Sequence, residues 1–179
     1  MLIEGVVWLS SVVDNLAVKH HVESREVEEV LDNNPKIRFV EKGGRKGEDV
    51  YLALGQTDAG RYLAVLFIYK KTKEALILSA RDMANKERRN MRKNQLKSLP
   101  VSRSIDALVE FFDAHDMGEY WDDLPEAAFD IELKKRCHLV AIDEEIVPEL
   151  TKIAKSKRVR SEKLVNTWLR EKIQSSKQA

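Results

Sequence analysis

The chain has 179 residues, with 31 Lys and Arg against 30 Asp and Glu, so its net charge alone points to no partner. The single cysteine, Cys137, excludes an internal disulfide and a Cys-based zinc site. The longest wholly apolar and aromatic run, residues 62–69, is far short of the ~20 residues that a bilayer-spanning helix needs.

The N-terminal MLIEGVVWLS has no basic n-region and no long apolar stretch, so no signal peptide is expected and the cytoplasm is the default location. Residues 10–32 read as helical, split at the polar turn Glu23-Ser24-Arg25. In the second half, Val27, Val30 and Leu31 give one apolar face, and Asn33-Asn34-Pro35 ends it. Short strands follow at Ile37 and Phe39, at residues 49–54, at 61–70 and at 75–80, with turns at Gly43-Gly44, Gly47 and Thr57-Asp58-Ala59-Gly60. The near-continuous apolar run at 61–70 predicts a central strand covered on both faces. Residues 83–94 read as a basic helix containing Lys86, Arg88, Arg89, Arg92 and Lys93.

Residues 94–103, with Pro100, read as a linker. Ser104 is a fitting cap for a helix carrying Ile105, Leu108, Val109 and Phe112. Residues 129–142 read as extended. Two helices then close the chain, at about 144–157 and from Ser161 onward, although Pro148 sits awkwardly in the first. The charge is arranged in blocks: residues 70–103 carry eleven basic and three acidic side chains, while residues 104–133 carry ten acidic ones and no Lys or Arg. The acidic block reads either as a solvated linker or as a mask over the basic block in imitation of nucleic-acid phosphate.

Three stretches resemble the small BrnT-like toxins, which have a RelE-like ribonuclease fold: Trp8 with Lys19-His20 and Val22; residues 51–57 with Gly60-Arg61-Tyr62-Leu63; and residues 79–83 with Glu87-Arg88-Arg89. The resemblance implies RNA cleavage, which needs proton transfer and cations around the transition-state phosphate. His20 is the proton-transfer candidate, with Arg61, Arg81 and Arg88 as catalytic phosphate ligands and Lys19, Arg89 and Arg92 as RNA-binding residues. The plainer alternatives are a satisfied helix-end histidine, a strand-edge charge at Arg61 and a solvated helix face. The sequence departs from the family where His21 replaces Gly and where Met91 stands at the position of an aromatic.

Residues 99–174 resemble the BrnA-type antitoxins, through Phe112-Asp113-Ala114-His115-Asp116, Tyr120-Trp121-Asp122 and the helix beginning Ser161-Glu162-Lys163-Leu164-Val165-Asn166. The resemblance implies a ribbon-helix-helix tail, in which strands of two chains pair and can enter a DNA major groove. Lys134, Lys135, Arg136 and Ser161 are the DNA-binding candidates, and Phe111, Phe112, Tyr120 and Trp121 the anchors of an inhibitory segment. If Val140 and Ile142 face the core, alternation sends Cys137, Leu139 and Ala141 to the DNA side, where they read base edges poorly.

The expected fold class is therefore α+β: a small RelE-like antiparallel sheet with helices, then a helical linker and a ribbon-helix-helix module. The expected division is a toxin domain at 1–94, a linker and acidic segment at 95–128, and a dimerisation or DNA-binding domain at 129–179. The function expected is a fused type II toxin–antitoxin protein, a ribonuclease inhibited by its own segment. The alternative is a DNA-binding autoregulator or scaffold with a decayed, non-catalytic toxin half. Expected partners are RNA for the toxin half, operator DNA for the tail, and further copies of the chain in a homodimer or higher assembly through the ribbon strand, with no membrane; no cofactor and no metal are expected.

Overall fold

The computed structural model describes residues 1–90 and 104–177. The linker, Met91, Arg92 and the end of the basic helix lie outside the described residues. The chain divides into two compact units, residues 1–139 and 140–179.

The first unit is built on one mixed sheet of six strands, ordered β2-β3-β4-β5-β1-β6. These are β1 Leu2–Leu9, β2 Lys36–Glu41, β3 Val50–Gln56, β4 Tyr62–Tyr69, β5 Glu74–Asp82 and β6 Asp130–Leu139. Strands β2 to β5 form the expected antiparallel meander. The expectation of a small antiparallel sheet needs correcting at β1, which runs parallel to both β5 and β6. Glu4 and Gly5 interrupt the apolar pattern of β1, so it gives a weak strand signal. Nevertheless Ile3, Val6 and Trp8 are buried, as members of one apolar cluster with Leu16, Val27 and Ile77. The parallel pairings are possible because long stretches of chain separate the paired strands.

Each face of the sheet carries its own core. On one face, α1 (Ser10–Asn15), a π-helical turn (Leu16–His20) and α2 (Ser24–Asp32) follow β1. Val27, Val30 and Leu31 of α2 pack with Trp8, Ala53, Val65, Phe67 and Ile77. Gly55 admits α2 to this distance, since a Cβ there would lie 2.9 Å from Val30 Cγ1 and 3.2 Å from the Val30 carbonyl oxygen. The other face, with Val50, Leu52, Leu54, Ala64 and Leu66, is closed by Leu108 and Phe112 of α4 (Ile105–Ala114) together with Met117, Trp121 and Leu124. Fully burying each of these large side chains contributes about 2 kcal/mol before entropy is counted. Ser104 caps α4 as expected, its Oγ accepting from Ala107 N at 3.1 Å.

The segment after α4 straps the sheet at both edges. A 3₁₀ turn at Met117–Glu119 leads to residues that run beside β2, where Phe39 N donates to the Pro125 carbonyl and Ala127 N to that of Ile37. Phe129 then packs edge-on against Tyr51 and Tyr69, with ring centroids 4.9 and 5.2 Å apart. Finally β6 pairs with β1, placing Arg136 opposite Val6 and Leu139 opposite Leu9. The extended stretch expected at 129–142 is thus mostly a strand of this chain's own sheet. It ends at Leu139, and Val140–Ile142 lie outside any ladder.

The second unit is a helical pair, α5 (Val147–Ser156) and α6 (Ser161–Lys177). Pro148 falls in the first turn of α5, where no backbone donor is required of it, and this resolves its awkward position in the sequence. Leu150, Ala154 and Leu164 are its only buried apolar side chains among the described residues. Val140, Ile142, Ile146, Val147, Trp168, Leu169 and Ile173 remain exposed. Among the described residues no helix is long and apolar enough to cross a membrane.

Candidate active site

The site candidates come from three places on the first unit: the end of the π turn (Lys19, His20), the end of β5 (Ser79, Arg81, Asp82) and α3 (Asn85–Asn90). The π turn ends because His21 adopts φ 51°, ψ 40°, in the left-handed region. A residue with a Cβ is disfavoured in that conformation, which gives a physical reason for a glycine in the motif that His21 interrupts.

His20 is nearly buried, and its Nε2 lies 3.1 Å from Oδ2 of Asp113 at the end of α4. Lys19 makes an ion pair with the same oxygen. Ser79 Oγ donates to Asp113 Oδ1 at 2.7 Å. Burial pushes the Asp113 carboxyl up, but the hydrogen bonds from Lys19, Ser79 and His20 outweigh it and hold the group below the usual carboxylate range.

Arg61 is held from two sides. Its Nε and Nη2 donate to Asp82 at 2.8 and 3.0 Å, and its Nη1 to both oxygens of Glu26. It also donates to the carbonyls of His20 and His21, tying the end of the π turn to the sheet. The hydrogen bond to Asp82 is the main reason its pKa lies above the ordinary arginine value. The same bond leads in lowering Asp82, to which Arg88 and His20 also contribute. Asp82 therefore holds Arg61 directly, while the charges of Arg88 and His20 act on it from beyond hydrogen-bond distance. Beside Arg61 a shallow cleft of about 430 Å³ is lined by Glu23, Glu26 and Glu29 as well as His21 and Arg25, the last paired with Glu29. Those carboxylates make it a poor seat for phosphate.

Arg81 is buried and all five of its N–H groups are engaged. Nε donates to the Phe112 carbonyl, Nη1 to the Asp82 carbonyl and Glu87 Oε2, and Nη2 to Glu87 Oε1 and the His115 carbonyl. Glu87 is fully buried and also accepts from Ala84 N and Met117 N. Such a fully satisfied buried pair fixes geometry more than it adds stability. In this arrangement Arg81 holds the end of α4 against the sheet. Arg88 and Arg89 are exposed, with the Arg88 guanidinium 5.5 Å from the centre of the Tyr62 ring.

The four expected anchors lie where α4 and the 3₁₀ turn meet the sheet. Phe112 and Trp121 are buried in the second core, and Phe111 and Tyr120 are half-buried with ring centroids 5.7 Å apart. Asp116 accepts from the Lys86 and Glu87 amides at 2.8 and 3.1 Å, and Lys86 pairs with Glu119. Sequence reasoning missed Ser79, Asp82, Glu87 and Asp113. The available signal was alternation: Ser79 and Arg81, two apart on β5, share the face that receives α4.

The DNA-binding candidates fall in both units. Lys134 pairs with Glu132, Lys135 stands opposite Gly5, and Arg136 donates to Glu28 of α2, all on the edge strand of the sheet. Ser161 is the first residue of α6 in the second unit. No group of three or more potential metal ligands occurs among the described residues.

Both sections of the chain match known families. Residues 13–87 match the family described as the ribonuclease toxin BrnT of type II toxin–antitoxin systems. Residues 97–172 match the family described as the CopG antitoxin of type II toxin–antitoxin systems. The chain thus carries, in one polypeptide, a section that matches a toxin family and a section that matches an antitoxin family of type II toxin–antitoxin systems. No curated protein matches it.

Proposed function

We propose that this chain is a self-inhibited ribonuclease: a RelE-like toxin domain cleaves RNA, and the antitoxin-family segment of the same polypeptide holds it closed. The observation that carries this reading is the seat of Asp113. A carboxylate from the acidic block engages Lys19 and His20, the two residues that the toxin resemblance marks for RNA binding and proton transfer. His20 serves as the proton-transfer group and Arg88, exposed beside Tyr62, as the cation that approaches the phosphate, while Arg61 and Arg81, held by acids of the toxin-family section itself, position the π turn and the end of β5.

The second unit supplies assembly. Its buried core is three side chains wide, and an exposed row that includes Val140, Ile146, Trp168 and Leu169 needs a cover. A second copy of the chain provides one by pairing the helices of the two second units, and Ser161 at the start of α6 is the phosphate contact of that unit for operator DNA.

The test uses the full-length chain. Changing Phe111 and Tyr120 together to Ala loosens the segment while keeping Phe112 and Trp121 in the core. RNA cleavage should appear, and His20→Ala in that background should lower it by roughly 10²-fold or more. A folded, loosened chain that leaves RNA intact overturns the ribonuclease reading.

That outcome would favour the second reading, a non-catalytic autoregulator or scaffold. Its support is the commitment of Arg81 to Glu87 and of Arg61 to Glu26 and Asp82, which leaves Arg88 as the one arginine of the catalytic set without an acidic partner within ion-pair distance among the described residues.

A further inference from the structure

Asp113 is the meeting point of three donors of different kinds. Lys19 supplies an ammonium, His20 a ring nitrogen at 3.1 Å and Ser79 a hydroxyl at 2.7 Å. They come from two elements far apart in sequence, the π turn and β5, and converge on one carboxylate whose side chain is 8% exposed. Neither Ser79 nor His20 has another side-chain hydrogen-bond partner among the described contacts, so both are directed at this single anion.

The geometry has the features of an anion seat. One donor carries a fixed charge, one is a histidine and one is a neutral hydroxyl on a buried strand. A carboxylate presents two oxygens to these donors; a phosphodiester presents two non-bridging oxygens with the same single charge. Lys19 is 55% exposed, so the seat opens to solvent on the lysine side, where an extended polyanion would enter. Ser79 lies next to Arg81 on the same face of β5, and the Arg81 guanidinium holds the Phe112 carbonyl one residue before Asp113. The position of the carboxylate is therefore set by the helix end as well as by its own partners.

We infer that Lys19, His20 and Ser79 form the phosphodiester-binding seat of this protein, and that Asp113 fills it as a built-in phosphate mimic. Ser79 is then a substrate-contacting residue that donates to a non-bridging oxygen, a role assigned by the fold. The inference rests on the nucleic-acid reading given above for the nature of the anion.

Inorganic phosphate is the probe, titrated into the full-length parent and into full-length Asp113→Ala and Asp113→Ser, with the His20 ring followed by NMR. Both variants should bind phosphate at least about tenfold more tightly than the parent, with the His20 resonances moving as the site fills. Adding Ser79→Ala should weaken that binding by about tenfold, the scale of one hydrogen bond to a charged group. Phosphate should also raise the melting temperature of either variant more than that of the parent, which controls for general salt effects. A folded variant with no gain in affinity overturns the seat, as does a gain that leaves the His20 ring unmoved. A variant that stays unfolded even in saturating phosphate also counts against it, because filling the seat should restore the lost counter-charge.

RNA cleavage measured on the same variants separates the two readings. Phosphate binding at His20 without cleavage keeps the seat and removes the ribonuclease. Cleavage released without a phosphate site at His20 keeps the ribonuclease and removes the seat.

Discussion

Gly118 and Glu87 are packed so closely that a Cβ on Gly118 would stand 2.3 Å from the Glu87 amide nitrogen. The contact is backbone against backbone, so no side-chain rotation relieves it. It sets the distance at which the 3₁₀ turn of the acidic segment rests on the start of α3, and it lets Asp116 reach the Lys86 and Glu87 amides.

Gly118→Ala should therefore force this docking apart. The cost is that of overpacking, about 1–3 kcal/mol, or a fall in melting temperature of roughly 2–4 °C per kcal/mol for a chain of this size. Calorimetry on the full chain checks it, and an unchanged melting temperature would mean that the turn yields without strain.

His21 bears on the end of the π turn. Its left-handed backbone costs a residue with a Cβ roughly 1–2 kcal/mol. His21→Val should destabilise the chain further, by about 1 kcal/mol, because a β-branched residue tolerates this region worse than His does. His21→Gly should be neutral or mildly stabilising. Denaturant midpoints for the pair decide it: equal losses for Val and Gly would show that the His21 ring, and not its backbone, matters.

The pH dependence follows from Asp113 and Asp82. Both carboxyls are held below the ordinary value in the folded chain. A folded pKa below the unfolded one gives stability that is fully present above the unfolded value of about 3.9 and is lost as pH falls through the folded value. Urea midpoints should hold from neutral pH down to the usual carboxylate range and drop below it. Asp113→Asn should reduce that acid-side drop, because one of the contributing groups no longer titrates.

The exposed row on the second unit predicts association. Val140 is 71% and Leu169 55% exposed within the chain, so a polar residue at either position should cost the isolated fold little. Leu169→Lys and Val140→Lys should nevertheless dissociate the assembly, each by placing a charge in an apolar contact. Light scattering of parent and variants at micromolar concentration checks this; a monomeric parent would refute it.

Much of the fold follows from local sequence. The apolar face of α2, the meander from β2 to β5, the Ser104 cap and the two closing helices each rest on periodicity or a capping residue within one segment. The block of acidic charge, with Phe112 and Trp121 in it, likewise marked the segment that packs on the toxin-family section.

The tertiary structure decided what depends on neighbours distant in the chain. Strand β1 is weakly patterned, and only its place between β5 and β6 buries Ile3, Val6 and Trp8. Strand β6 had the pattern of a strand but not its partner, because hydrogen-bond ladders form between backbones and leave no residue-specific mark. Arg81 looked like a free cation until Glu87 and two carbonyls of the following segment were placed around it. Asp113, one of ten acids in its block, gained its meaning from Lys19, His20 and Ser79, because the partners of a buried carboxylate are selected by three-dimensional convergence rather than by spacing along the chain.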